Sequence, residues 1–199
     1  MWTSEKSCLW RMSVLTETEH VAAATFAREV INKFPDVESK PLEGNSIELI
    51  TPRDHIRDIV TMIDERFDDA FPELVFGVDL EEGNFEVVYI FWMRNSSLLL
   101  QIRIGLQEAD LWVDTVSDIF PGLEWHERET HEMFGIDFKG HPDLRLLLLP
   151  DELDGKYPLR KSFETDRSRL EESGIAAPKP RPAPTSRDEK KPESEGDKE

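Results

Sequence analysis

The sequence predicts an α+β fold: an antiparallel β-meander packed with helices, then an extended irregular segment and a disordered tail. Three observations carry this. The first periodic segments read helix, strand, helix, and the next three read as strands. Short turn-rich gaps, Glu81–Asn84 and Asn95-Ser96, join those strands, and such gaps make hairpins. That order, αβα then βββ, opposes a doubly wound sheet, and no glycine-rich loop follows a strand, so a phosphate-cradling loop has no support.

A first helix fits Glu17–Phe34. Val21, Ala24, Ala27 and Ile31 keep helical spacing, Thr16 can cap the start and Pro35 stops it. A short strand fits Ser46–Ile50. Thr51 is placed to cap a second helix with Pro52 at its first position, and Ile56, Ile59, Val60, Ile63 and Phe67 form its apolar face. Strands then fit Leu74–Leu80, Phe85–Met93 and Leu98–Ile104. In the last of these, Leu98, Leu100, Ile102 and Ile104 share one face, and Leu99, Gln101 and Arg103 the other. The run Val87–Met93 is apolar on both faces, which predicts a central strand covered on both sides, by helices or by a partner chain.

Charge and cysteine content remove whole classes of function. The 42 acidic and 24 basic residues leave a net charge of −18, which opposes non-specific binding to nucleic acid and to anionic headgroups. The single cysteine, Cys8, forbids an intrachain disulfide and any metal or iron–sulfur site held by four cysteines of this chain. No apolar run reaches the roughly 18 residues of a membrane span, and the N-terminus lacks the continuous apolar core of a signal peptide. The expected organisation is a flexible N-terminus over 1–16, an α+β body over 17–111, a distinct segment over 112–165 and a tail over 166–199. From Glu171 onward the tail has five prolines, no aromatic residue and a net charge of −2, so it cannot bury enough apolar surface to order.

Residues 112–165 carry the chemistry-bearing side chains. A helical stretch starts near Gly122 and ends at Gly135, a natural C-terminal glycine. Trp125, Glu129, Glu132 and Met133 fall on one side of it, with Glu127 and Arg128 on others. Glu127 and Glu129 could act as an acid–base pair, and His126, His131 and His141 as metal ligands. The spacing opposes this: His126 and His131, five apart, point about 140° from each other on a helix. The pattern is not H-E-x-x-H, and no nucleophile or binding loop accompanies the carboxylates. A network in which Arg128 pairs with Glu127 and Glu129 fits better. Gly140-His141-Pro142-Asp143 reads as a turn, and Leu146–Pro150 as a buried extended segment. The irregular stretch Asp151–Phe163 holds Leu159, Arg160 and Lys161 and needs another surface to satisfy its backbone, which points to a subunit.

In order, Glu127-Arg128-Glu129, Met133-Phe134-Gly135-Ile136, Gly140-His141-Pro142-Asp143-Leu144-Arg145, Leu149-Pro150-Asp151, Gly155 and Pro158-Leu159-Arg160-Lys161 resemble the signature of the complex I 30 kDa subunit family. Its members include the C-type subunit of bacterial NADH–quinone oxidoreductase and related subunits of archaeal deazaflavin-fed dehydrogenases and energy-converting membrane hydrogenases. Glu132 before Met133, Leu153 after Glu152, and the two residues Lys156-Tyr157 before Pro158 depart from the respiratory pattern and lean toward the archaeal or hydrogenase-like branch.

The resemblance implies a peripheral-arm scaffold with no catalytic, cofactor or metal residue of its own. In such a complex the cofactors are iron–sulfur clusters, NADH or a deazaflavin, and a quinone-like acceptor. The implied partners are the 49 kDa-type subunit (D) and the adjacent iron–sulfur subunit (B), on the cytoplasmic side of a membrane reached through the complex. Glu127, Arg128, Glu129, Met133, Phe134, Gly135, Gly140, His141 and Pro142 are then structural signature residues, and Leu159, Arg160 and Lys161 the partner contact. The rival readings are the equivalent subunit of a proton-reducing hydrogenase and a stand-alone enzyme built on Glu127, Glu129 and His131.

Overall fold

The computed structural model describes residues 17–164. The expected flexible N-terminus with Cys8, the Thr16 cap and the proline-rich tail lie outside the described residues. Helix α1 (Glu17–Lys33) leads to strands β1 (Glu38–Leu42) and β2 (Ser46–Ile50). Helix α2 (Ile56–Arg66) precedes the meander β3 (Ala70–Asp79), β4 (Asn84–Met93) and β5 (Leu98–Gln107). Strand β6 (Trp112–Asp114), helix α3 (Glu124–Phe134) and strand β7 (Asp137–Lys139) follow.

The five-stranded sheet has the order β1-β2-β5-β4-β3. The meander is antiparallel as expected, but β2 runs parallel to β5, pairing Leu49 with Ile102, so the sheet is mixed. That pairing makes β5 the middle strand. Along β5, Leu98, Leu100, Ile102, Ile104 and Leu106 are all buried on one face. Ile47 and Leu49 of β2 and Val87, Tyr89, Phe91 and Met93 of β4 extend this face, and Phe26, Val30, Ile56, Ile59, Val60 and Ile63 from α1 and α2 cover it. Helix α3 packs against β3 on the same side, where the Thr130 hydroxyl donates to the Val75 carbonyl at 3.4 Å.

One expectation is narrowed here and one corrected. Strand β4 lies between β5 and β3, but no helix among the described residues roofs its second face, which leaves a partner chain as the expected cover. There Val88 is buried, while Ile90 and Trp92 stay part-exposed among neighbouring strands. Arg103 reaches across this face to Glu48, and Gln101 donates to the same carboxylate, which fills part of the surface with polar groups. Thr51 does not cap α2. A 3-10 turn, Arg53–His55, intervenes, and the Thr51 backbone N–H extends the parallel ladder by donating to the Arg103 carbonyl. Strand β1 escapes the periodicity reading because Glu-Ser-Lys-Pro-Leu is polar; it lies on the sheet edge, where proline and lysine are tolerated.

Candidate functional site

Helix α3 is the post on which the signature residues hang. It enters through a 3-10 turn, Pro121–Leu123, and its buried face is Leu123, Glu127, Thr130 and Phe134, at helical spacing. It ends at Gly135, whose φ of 75° lies in the left-handed region. Space demands glycine there as well, because a Cβ would sit 2.6 Å from the Tyr157 ring and 2.8 Å from the Arg160 guanidinium. At Gly77 the opposite contact applies: a Cβ would meet the Phe134 ring at 2.7 Å, so this glycine lets α3 lie close on β3.

Glu127 is fully buried and faces the turn after β6. The Val116 backbone N–H donates to it at 2.9 Å, and the Thr115 hydroxyl donates to its other oxygen. Burial pushes its carboxyl up to about 7, against the pull of those donors. The neighbouring Tyr89 phenol is also driven up by burial and then by the charges of Glu127 and Asp114; its hydroxyl is buried without a partner among the described residues. Arg128 does not join Glu127 and Glu129 in an ion-pair network, contrary to expectation. Helical geometry turns Glu127 inward and leaves Glu129 exposed. Arg128 reaches instead to the segment after Gly140, donating to the carbonyls of Arg145 and Leu146, with Asp143 at 3.6 Å.

Glu132, one turn further along, is 3% exposed and completes that clamp. Its carboxylate accepts the backbone N–H groups of Leu147, Leu148 and Leu149 at 2.8, 3.0 and 3.4 Å. Leu146–Pro150 is therefore not the buried extended segment expected: its leucines are part-exposed, Leu148 to 61%, and its backbone is held by side chains. The turn before it behaves as read. Gly140 has φ 85°, His141 joins the Glu124 carbonyl through Nε2 at 3.0 Å, and Asp143 accepts the Arg145 N–H. The Arg145 guanidinium, then its backbone N–H, holds the Asp143 carboxyl well below the usual range. Pro142 is exposed on the turn.

The three residues expected at a partner surface divide. The Leu159 N–H donates to the Met133 carbonyl at 3.2 Å, and its side chain is 56% exposed. Arg160 turns inward: Nε donates to the Phe134 carbonyl at 2.7 Å, Nη1 meets Glu108 at 3.0 Å, and the guanidinium lies 4.5 Å from the Tyr157 ring centre. The Leu159 and Arg160 donors thus cap carbonyls that the end of α3 would leave open. Lys161 binds the β3–β4 hairpin through Asp79 and Glu81. The irregular stretch finds much of the surface it needs in this chain.

Glu127, Glu129 and His131 do not form a site: Glu127 is buried against Thr115, Glu129 is exposed, and His131 Nδ1 meets the Ile136 carbonyl at 2.8 Å. Among the described residues no group of three or more His, Cys, Asp or Glu side chains could hold a metal ion. What the arrangement does is hold backbone and present side chains. Between α3 and β3 lies a cleft of about 570 Å³, lined among others by Leu74, Val75, Phe76, Met133, Phe134 and Leu159. Sequence reasoning missed Glu132 as a clamp, and Thr115, Glu108 and Tyr157 as anchors. An Arg-x-x-x-Glu pair at i, i+4 ordinarily reads as a surface ion pair, so the signal was present but pointed elsewhere.

The family described as the respiratory-chain NADH dehydrogenase 30 kDa subunit matches residues 49–169. This chain belongs to that family. Among curated members, the C-type subunit of NADH-quinone oxidoreductase from Chloroherpeton thalassium is 38% identical over 102 residues, 51% of this chain and 42% of the relative. The C/D-type NADH-quinone oxidoreductase protein of Chromohalobacter salexigens is 40% identical over 85 residues, 43% of this chain and 14% of the relative. The matched stretch is thus under half the length of these 30 kDa-family relatives. Two solved structures share the fold. A chain of the membrane-bound sulfane sulfur reductase, an archaeal respiratory membrane complex, superposes with a TM-score of 0.67 at 24% identity, covering 78% of this chain and 94% of that one. The trypsin-resistant fragment of Nqo5 gives 0.52 at 23% identity, covering 63% and 99%. The described residues include no helix long and apolar enough to cross a membrane.

Proposed function

We propose that this chain is a cofactor-free scaffold subunit in the peripheral arm of a complex I-like oxidoreductase. The complex passes electrons from NADH, or a reduced deazaflavin, through iron–sulfur clusters to a quinone-like acceptor and couples this to ion translocation. The chain braces the 49 kDa-type subunit (D) beside the iron–sulfur subunit (B) on the cytoplasmic face of the membrane. One observation carries the reading: α3 spends its charged side chains on fixing irregular backbone, and so presents Trp125, Leu148 and Leu159, exposed to 68, 61 and 56%, on a rigid frame. Large apolar side chains fixed in water suit a surface that another protein covers. Family membership and the relatives of C/D type, in which both parts are one protein, support the choice of partner.

The test is purification of the full-length chain from its own cell under mild conditions, with identification of what accompanies it. Subunits of the D and B type in equal amounts are expected. A chain that purifies alone and turns over a substrate, or carries stoichiometric metal lost in His131→Ala, contradicts the scaffold reading.

A further inference from the structure

The cleft between α3 and β3 has a chemistry that specifies its occupant. Among the described residues strand β3 is the edge of the sheet, so one of its backbone rows has no strand beside it. The Thr130 hydroxyl reaches the Val75 carbonyl from α3, and Val75 and Gly77 both line the cleft. Pairing alternates along an antiparallel edge, so Gly77 directs its backbone groups the same way as Val75. The lining is mostly apolar, from Leu74, Val75, Phe76, Met133, Phe134 and Leu159. Phe76 and Leu159 are 36% and 56% exposed, so an occupant would remove apolar surface from water.

The lip is acidic. Glu73 and Glu129 both line the cleft and both are exposed. Neither forms an ion pair among the described residues, and no lysine or arginine lines the cleft. The walls are rigid, because Glu127 pins α3 from below and the Leu159 N–H ties the irregular segment after Gly140, the strap, to its last turn. A preformed groove loses little entropy on binding. The other open surface, the second face of the sheet, differs: its central cation Arg103 is already neutralised by Glu48 and Glu86.

We propose that this cleft docks an extended segment of the partner subunit, one that lies along β3 and carries an apolar side chain flanked by lysine or arginine. The extended form follows from the free edge, the apolar anchor from the lining and the cationic flanks from Glu73 and Glu129. This rests on the subunit reading above and adds the place and chemistry of the contact.

The experiment uses the full-length chain in its cell. Leu159→Asp and Glu73→Lys are compared with Leu42→Asp, an exposed control on β1. Recovery of the D- and B-type subunits is measured beside the melting temperature of each free chain. A photo-crosslinking residue at position 159 then maps the neighbour. The expected result is roughly tenfold lower recovery for both cleft variants, unchanged melting for Glu73→Lys, wild-type behaviour for the control, and a crosslink to a partner segment with lysine or arginine beside an apolar residue. Wild-type recovery of both cleft variants overturns the proposal. So does a crosslink to a second copy or to residues 165–199 of this chain. If the wild-type chain recovers no D- or B-type subunit, the subunit reading falls and the docking proposal falls with it.

Discussion

Within the sheet, β2, β5 and β4 satisfy their backbone groups with the strands on either side, whereas the segment after Gly140 borrows side chains from α3. In the sheet, alternation does the work: every second residue of β5 from Leu98 to Leu106 is buried, and the backbone between them pairs with β2 and β4. From Arg145 to Leu149, two carbonyls bind Arg128 and three N–H groups bind Glu132. Further on, Leu159 and Arg160 are held by the last carbonyls of α3. The first region is secured by many interchangeable apolar contacts, the second by a few charged groups that have no substitutes. A scaffold can keep an irregular surface rigid in this second way without covering it in secondary structure.

The contrast between the regions collapses if the sheet is not the dominant source of stability. Ile102 is fully buried at the centre of β5. Ile102→Ala should lower unfolding free energy by about 2–5 kcal/mol, the range for emptying a buried aliphatic site. Denaturant titration by circular dichroism reads this, and a loss under about 1 kcal/mol would place the stabilising core elsewhere.

Glu127 anchors α3, on which the second region hangs, to the turn after β6, and its protonation sharpens the contrast. Its carboxyl is raised from an ordinary 4.5 to about 7 by burial, so the folded chain holds this proton more tightly than the unfolded chain does. The resulting stability is complete below pH 4.5 and is lost as pH rises through 7. Glu127→Gln keeps the shape without the charge. Between pH 4.5 and pH 8 the wild type should lose on the order of 2–3 kcal/mol relative to this variant. Parallel stability curves for the two chains would contradict the burial of an ionisable group at this position.

Within the strap, Arg160 and Lys161 should separate. Arg160→Ala removes a charged hydrogen bond to the Phe134 carbonyl and the packing on Tyr157, and should cost about 1.5–3 kcal/mol. Lys161→Ala breaks an exposed pair with Glu81 and should cost less than about 1 kcal/mol. Equal effects in thermal melts would remove the distinction between an anchored and a solvated cation.

The two regions also differ in how far the sequence exposes them. Apolar periodicity reports which side chains leave water, so α1, α2, the meander and the helical stretch from near Gly122 to Gly135 are legible, with Gly135 and Gly140 marking their turns. Periodicity says nothing about who accepts a backbone N–H. Arg128 and Glu132 are i, i+4 neighbours on α3, and their partners lie 15 to 18 residues further on, which no local pattern encodes. For the same reason the four leucines looked buried: their composition is that of a core strand, but Glu132 holds their backbone rather than their side chains. The parallel partner of β5 was hidden because β2 and β5 are separated by α2 and two strands. The signature motif was legible without any of this geometry, and it located the right segment while leaving the roles of Glu127, Arg128 and Arg160 to be found.

Carboxylate and guanidinium groups on α3, rather than secondary structure, hold the strap. Backbone hydrogen exchange of Glu132→Gln against wild type tests this most directly. The amides of Leu147, Leu148 and Leu149 should lose protection, corresponding to about 1.5–3 kcal/mol for the lost charged acceptor, while the amides of β4 and β5 stay as protected as before. Unchanged protection at these three leucines, or an equal loss throughout the sheet, would contradict the side-chain clamp.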